Sequence, residues 1–392
     1  MKRHYLPAGR VFWLRRRLLG LLRGLLALTA VLVSLAITAV LLGTMALNLG
    51  AKQEAELRGG SRGSAMDKFQ MHVTNSLSDA LEGVLAIEKV YWLSDEDPVC
   101  PEPRESAFGE TDDPAVLEEL IRKAEKLLAG QQLYFDPYGQ RKPGTTVRYY
   151  LDETIFALAW KEIHGGCVYT FSEVKIGHPS QLRRHLSGGA YGSGRQLLTT
   201  EMSASVNAVV ASSGDFYAHR RYGAVIWQGE LCRSYNANLD LCLVDELGDL
   251  RVLRSWEVPG EAGLGQYMEE NNIRFSLAFG PVIVEEGEQV YTGGYPVGEN
   301  DERFSRAAIC QMDTLHYLLC AANMEYGYPM VPTLNEFAGY LTATGCRTAY
   351  TLDGGQTAAI AMQDTLVNQV SYGSQRRISD IVYFATALPD GG

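Results

Sequence analysis

Apolar and polar positions divide the chain into three stretches with different spacing. From Gly24 to Leu49 no residue is charged and most are Leu, Ala, Val or Ile. That run exceeds the roughly 20 residues that cross a bilayer as a helix. Between residues 51 and 140 the apolar positions recur at helical spacing. Residues 51–63 are polar and glycine-rich, a flexible exit, and 66–91 carry a loose helical series (Met71, Leu77, Leu81, Val84, Leu85). Residues 94–113 read as an acidic, proline-containing loop. A well-signalled helix follows over 113–130. Asp113 caps it, Pro114 takes its first position, and Gly130 ends it. Val116, Leu117, Leu120, Ile121, Ala124, Leu127 and Leu128 form one face, with Glu118–Arg122 and Glu119–Lys123 as supporting pairs.

From Thr145 the texture changes to short runs of Val, Tyr, Phe and Thr between Gly and Asp turns. These predict strands at 147–151, 154–160, 167–176, 206–212, 223–228, 240–245, 273–279, 281–285, 306–311, 315–321, 347–352, 358–362 and 378–385. Two helices interrupt them, at 179–186 and at 333–344, the second opened by a Thr333–Glu336 capping box and closed by Gly345. The fold class is therefore α+β, a large, mostly antiparallel or mixed sheet with few helices, preceded by one transmembrane helix and a helical stalk. The domains are a basic cytoplasmic tail (1–17), a signal-anchor (18–49), a stalk or accessory region (50–140) and a sheet-rich domain (145–388).

Charge sets the orientation. Seven Lys and Arg and no acid fall within residues 1–50, so the body beyond residue 50 is at −18 against −11 for the whole chain. Basic residues flank only the N-terminal side of the apolar run. The N-terminus is expected to stay in the cytoplasm, with the C-terminal domain extracytoplasmic and residues 18–49 in the lipid bilayer. A cleaved signal peptide would have a shorter apolar core. An acidic body does not suit a phosphate backbone, so no nucleic-acid partner is expected. Hydrophobic residues at 46% allow a full core, and 40 Gly with 21 Tyr favour strands and turns. The seven cysteines contain no CxxC, which argues against a thiolate zinc site. Cys232 and Cys242, or Cys310 and Cys320, are near enough in sequence to face each other across hairpins; burial as small apolar residues explains them equally well.

Three loops carry candidate chemistry. The run 206–210 leads into Ser213-Gly214-Asp215, which would present a carboxylate at a sheet end, with His219 four residues on. A second strand delivers Asp353 into Gly354-Gly355-Gln356-Thr357, where glycine N–H groups and a hydroxyl would face an anion. The third places Arg306 at a strand start, where its planar fork suits a phosphate. Ordinary turns, and a solvated arginine, account for each loop taken singly. Walker and HExxH motifs are absent.

In order and spacing these segments resemble the phosphodiester glycosidase family. The resemblance runs from about Tyr149 to Ala385, through 168–171, 179–182, 202–210, 214–217, 279–281, 306–309, the Thr333 helix, 352–355 and 378–384. The chain departs from the family at Ser213 (usually Asn), at Ala307 and Cys310 (usually Thr and Gly), at 323–325 (often Asp-Gly-Arg) and at Gln356, Thr357 and Ala358 (usually Gly-Ser-Ser). The resemblance implies hydrolysis between a sugar's anomeric carbon and a phosphodiester, on a phosphate-linked glycan of the cell envelope or of the extracellular space. It also points to a bacterial surface protein. Asp215 and Asp353 would be the carboxylate pair of such a reaction. Arg306 and the Gly354-Gly355 turn would hold the phosphate, and Gln356 and Thr357 would bond sugar or phosphate. Ser213, Gly214, His219 and Asp380 complete the expected substrate-binding set. No cofactor is expected; the three aspartates leave room for a divalent cation that no spacing demands. The departures motivate an alternative, a catalytically weakened glycan-binding or scaffold protein.

Overall fold

A computed structural model of the chain describes residues 91–95, 99–139, 145–291 and 293–389. The expected tail (1–17), the anchor (18–49) and the 51–90 part of the stalk lie outside the described residues. Among the described residues no helix is long and apolar enough to cross a membrane.

A nine-stranded antiparallel sheet forms the centre. Its spatial order is Phe108–Thr111, Val147–Leu151, Ile155–His164, Cys167–Ile176, His316–Asn323, Arg306–Asp313, Thr348–Leu352, Val282–Glu285 and Glu288–Gln289. Its inner strands Cys167–Ile176 and His316–Asn323 are buried along their whole length because both faces are covered. One face sets Tyr150, Ala157, Val174, Ile309 and Tyr350 against the other sheets. The opposite face sets Leu158, Trp160, Leu318 and Cys320 against the helices Pro114–Lys123 and Leu334–Ala343.

A five-stranded antiparallel sheet, in the order Thr365–Leu366, Ile360–Met362, Val210–Ser213, Asp380–Phe384 and Leu182–Leu186, packs on the first face through Val210, Ile360, Val382 and Phe384. A three-stranded sheet (Leu250–Leu253, Leu241–Asp245, Ile273–Leu277) contributes Val244 and Phe275 to the same core. Five α-helices among the described residues complete an α+β fold.

Several elements differ from expectation. Residues 179–186 are not a helix: a single 3₁₀ turn, Pro179–Gln181, leads into the strand Leu182–Leu186. Proline and a capping residue start a turn there, but pairing with Asp380–Phe384 takes over the following residues. The strand expected at 206–212 begins only at Val210, after the helix Thr199–Ser205. The 113–130 helix is broken at Ala124 into Pro114–Lys123 and Glu125–Leu128, and Arg122 bonds Glu119 rather than Glu118. Within the 50–140 region, strand Phe108–Thr111 pairs with Val147–Leu151, and Leu117 and Phe135 are buried in the main fold. None of the seven cysteines is joined in a disulfide. Cys310 stands opposite Leu318 and Cys320 opposite Ala308, so the hairpin register does not align the two thiols.

Candidate active site

The two larger sheets meet where two strands end. Val210–Ser213 runs out into Gly214-Asp215, and its antiparallel neighbour begins at Asp380. Gly214 N–H donates to the Asp380 carbonyl (3.1 Å) and Asp215 N–H to Asp380 Oδ2 (3.1 Å). A β-carbon on Gly214 would lie 2.5 Å from Asp380 Oδ2, so glycine is required there. In the nine-stranded sheet, Thr348–Leu352 ends at Asp353, and Ala307 pairs with Leu352, which sets Arg306 beside the same end. The two ends are stitched together. Asp353 N–H donates to the Gly214 carbonyl (3.0 Å), and Ser213 Oγ donates to the Asp353 carbonyl (3.0 Å).

Asp215 and Asp380 lie beneath the surface. Asp215 accepts from Arg220 and from Ala278 N–H (3.0 Å), and Asp380 accepts from Arg184 Nε (2.8 Å) and Ser379 Oγ (3.2 Å). Arg184 Nη2 is 3.7 Å from Asp215 and its side chain is fully buried. Burial opposes the charge of Arg184, but Asp380 and Asp215 outweigh it and hold the guanidinium above the usual arginine range. Burial, together with the charge of Asp215, pushes Asp380 up against the pull of Arg184.

Above this cluster opens a cavity of about 370 Å³. Its wall includes Asp353, Arg306, Arg376, Gly354, Gly355 and Gln356. Asp353 is almost wholly buried and pairs with Arg376 Nη2 (2.9 Å), whose side chain is 45% exposed and lies over the Phe216 ring. Burial pushes Asp353 up to about 6, with Arg376 and the Thr357 hydroxyl pulling it down and Asp380 adding to the rise. Arg306 gives Nη2 to the carbonyls of Glu299 (2.7 Å) and Glu302 (2.7 Å), while its Nε is buried without a partner. It forms no ion pair among the described residues, and burial lowers it to about 10. The cavity wall thus holds a buried carboxyl raised to about 6, a buried guanidinium with no ion pair among the described residues, and a half-exposed guanidinium paired with that carboxyl.

The expected residues separate into three groups. Asp353, Arg306, Gly354, Gly355 and Gln356 line the cavity. Asp215, Asp380, Ser213, Gly214 and Thr357 are under it; Thr357 Oγ1 bonds the Gly354 carbonyl. His219 stacks on Phe216 and sits 3.0 Å from Gln196, outside the cavity lining. Gly355 N–H donates to the Ser305 carbonyl (2.9 Å) and is not open to an anion. The glycines serve instead for close approach: a β-carbon on Gly354 would lie 2.5 Å from that carbonyl. Sequence reasoning missed Arg184, Arg220 and Arg376. The charged pair Arg183-Arg184, set between Leu182 and Leu186, is the signal that would have found the first. Among the described residues no group of three or more His, Cys, Asp or Glu is arranged to hold a metal ion.

Fold and site together define a sheet-rich α+β protein with an acid and two guanidiniums at the junction of two sheets. Residues 206–385 match the family model described as phosphodiester glycosidase. Its fold is similar to a hypothetical protein from Synechocystis (16% identity, TM-score 0.49), with 60% of this chain and 63% of that chain covered. It is also similar to the catalytic domain of zebrafish N-acetylglucosamine-1-phosphodiester alpha-N-acetylglucosaminidase, auto-inhibited by its pro-peptide (16% identity, TM-score 0.46). That match covers 59% of this chain and 83% of that chain. The chain therefore spans less than two thirds of the Synechocystis protein. No curated protein matches it.

Proposed function

We propose that the protein is a membrane-anchored extracytoplasmic glycosidase that hydrolyses a sugar-phosphodiester bond in a cell-envelope or extracellular glycan. The observation that carries this reading is the cavity wall, where Asp353 faces the same space as Arg306 and Arg376. The uncharged run 24–49, with basic residues only before it, supports the anchor and its orientation.

In this reading the bond between the anomeric carbon and the phosphate oxygen breaks. Water supplies the new oxygen, and a phosphate monoester leaves. That leaving group carries its own negative charge, so cationic donors matter more than a strong general acid. Arg306, already desolvated and with no ion pair among the described residues, meets the phosphate. Arg376 releases Asp353 and turns to the phosphate as well. Ionised Asp353, freed of its partner, takes the proton of the attacking water, a role suited to a carboxyl that titrates near the working pH. Asp215 and Asp380 act as positioning residues, fixing the Gly214 carbonyl that receives Asp353 N–H.

The test is incubation of the full-length chain with a panel of chromogenic sugar-1-phosphodiesters, including N-acetylglucosamine. Turnover that disappears in Asp353→Ala supports the reading. Folded protein that turns over no member of the panel moves the assignment to the glycan-binding or scaffold alternative.

A further inference from the structure

Two tyrosines, Tyr372 at the cavity and Tyr326 on a loop bonded to its own, are exposed although their loops are tightly held. Tyr372 lines the cavity yet is 72% exposed, while Val370 and Ser371 before it are buried. Tyr326 is 95% exposed. Their loops brace each other. Gln369 N–H donates to Glu325 Oε1 (3.3 Å), Tyr326 N–H to Gln369 Oε1 (3.1 Å), and Met324 N–H to Ser371 Oγ (3.3 Å). Ser371 Oγ also bonds Ser305 Oγ, next to Arg306. Below them Asn368 Nδ2 donates to Asn323 Oδ1 (2.7 Å) and the Ala358 carbonyl (2.8 Å). Glu325 and Tyr328 exchange backbone bonds (3.0 and 2.8 Å) that close the turn carrying Tyr326.

The backbone at Tyr372 adds a second observation. Its φ is +65°, in the left-handed region that a bulky side chain disfavours. Glycine would hold that conformation without strain, and the next residue, Gly373, does so at +79°. A large ring kept at a strained, solvent-facing position gains nothing from packing. Strain of this kind collects where a side chain is aimed at a ligand. The Tyr372 ring sits at the cavity that carries Asp353 and the two arginines, and Tyr326 lies on the loop hydrogen-bonded to its own. An aromatic face there suits the apolar C–H face of a sugar ring, with the phenol free to bond its hydroxyls.

We propose that Tyr372, with Tyr326 on the loop braced to it, forms an aromatic platform that stacks a sugar ring of an extended glycan beside the cleavage centre. The substrate is then a phosphodiester within an oligo- or polysaccharide, rather than a single sugar phosphate ester. This rests on the glycosidase reading above.

The test compares two substrates of the full-length chain: a nitrophenyl phosphodiester of one sugar, and the same sugar 1-phosphate esterified to a hexasaccharide. Phosphate-free hexasaccharides probed by saturation-transfer NMR supply a readout independent of turnover. In Tyr372→Ala, the preference in kcat/KM for the hexasaccharide diester over the nitrophenyl diester is expected to fall about tenfold or more, with a smaller fall in Tyr326→Ala. Saturation transfer to the hexasaccharide is expected to disappear in Tyr372→Ala and to survive in Tyr372→Phe. Tyr372→Gly should lose the contact with an unchanged or higher Tm, because the left-handed backbone is relieved. Equal losses on both substrates, or hexasaccharide contacts indifferent to Tyr372, overturn the platform. If no diester is turned over but hexasaccharide contact still depends on Tyr372, the platform stands and the catalytic reading falls. If diesters are turned over without such contact, the platform alone falls.

Discussion

Two groups of aspartate and arginine lie one above the other where the sheets meet, and they differ in closure. In the lower one, Asp215 and Asp380 face Arg184 and Arg220, two charges of each sign, and every member is buried. In the upper one, Asp353 has a half-exposed partner in Arg376, and Arg306 has no ion-pair partner among the described residues. The lower group fixes geometry because moving any member strands a charge in a place water cannot reach. The upper group is suited to chemistry because its charges are incompletely matched, and a substrate phosphate would complete the balance. The same residue types give a rivet in one place and a reactive wall in the other. The difference is set by access to solvent.

The comparison breaks most visibly at Arg184. Arg184→Met leaves two buried carboxylates with one guanidinium between them and removes the Nε bond to Asp380. A loss of about 3–5 kcal/mol in urea unfolding is expected. A loss under about 1 kcal/mol would mean that the lower cluster is no rivet.

Asp353→Asn should separate stability from activity. Turnover is expected to fall by about two to four orders of magnitude. Stability should move the other way. Asp353 titrates at about 6 in the fold against an ordinary value of 3.8, so the folded chain holds this proton more readily than the unfolded one. Ionising the group therefore costs stability as pH rises through about 6. Asparagine should stabilise by about 1–3 kcal/mol above that pH, with the gain shrinking as pH falls and gone below 3.8. Denaturant midpoints at several pH values check the sign.

Much of this was legible in the chain and some was not, for identifiable reasons. Strands such as Val147–Leu151 and Cys167–Ile176 coincide with their expected limits because turns bound a short β-branched and aromatic run. The Thr333 capping box is local chemistry and forms as read, with Glu336 N–H donating to Thr333 Oγ1. The strand at Leu182–Leu186 was hidden because its sequence does not alternate: Arg183 and Arg184 are both buried, each paired far away in the chain. Asp353 and Arg306 could be picked out as sheet-end residues. Arg376 could not, since nothing near it in sequence shows that it meets a carboxylate 23 residues earlier. Long-range electrostatic partners leave no periodic trace, and the site is built mostly from them.

The smallest expected change in stability, and the sharpest test of the upper group, comes from Arg376→Gln. The Arg376 side chain is 45% exposed, so its pair with Asp353 contributes little to folding, and stability should change by less than about 1 kcal/mol. Its effect on Asp353 is larger than its effect on the fold. Among the influences on that carboxyl, Arg376 is the main one that favours the ionised form. Without it, Asp353 should titrate above 6, and the acid limb of the kcat/KM profile should move to higher pH. If Arg376 also meets the phosphate, kcat/KM on the plateau should fall by up to about a hundredfold, because a charge-assisted donor is lost from the transition state. A shifted limb with an unchanged plateau would make Arg376 a positioning residue for Asp353 alone. A lower plateau with an unshifted limb would leave it as a phosphate ligand that does not govern the acid. Neither change, with the fold intact, would remove the half-open pair from the mechanism and leave Arg306 as the cation of the wall.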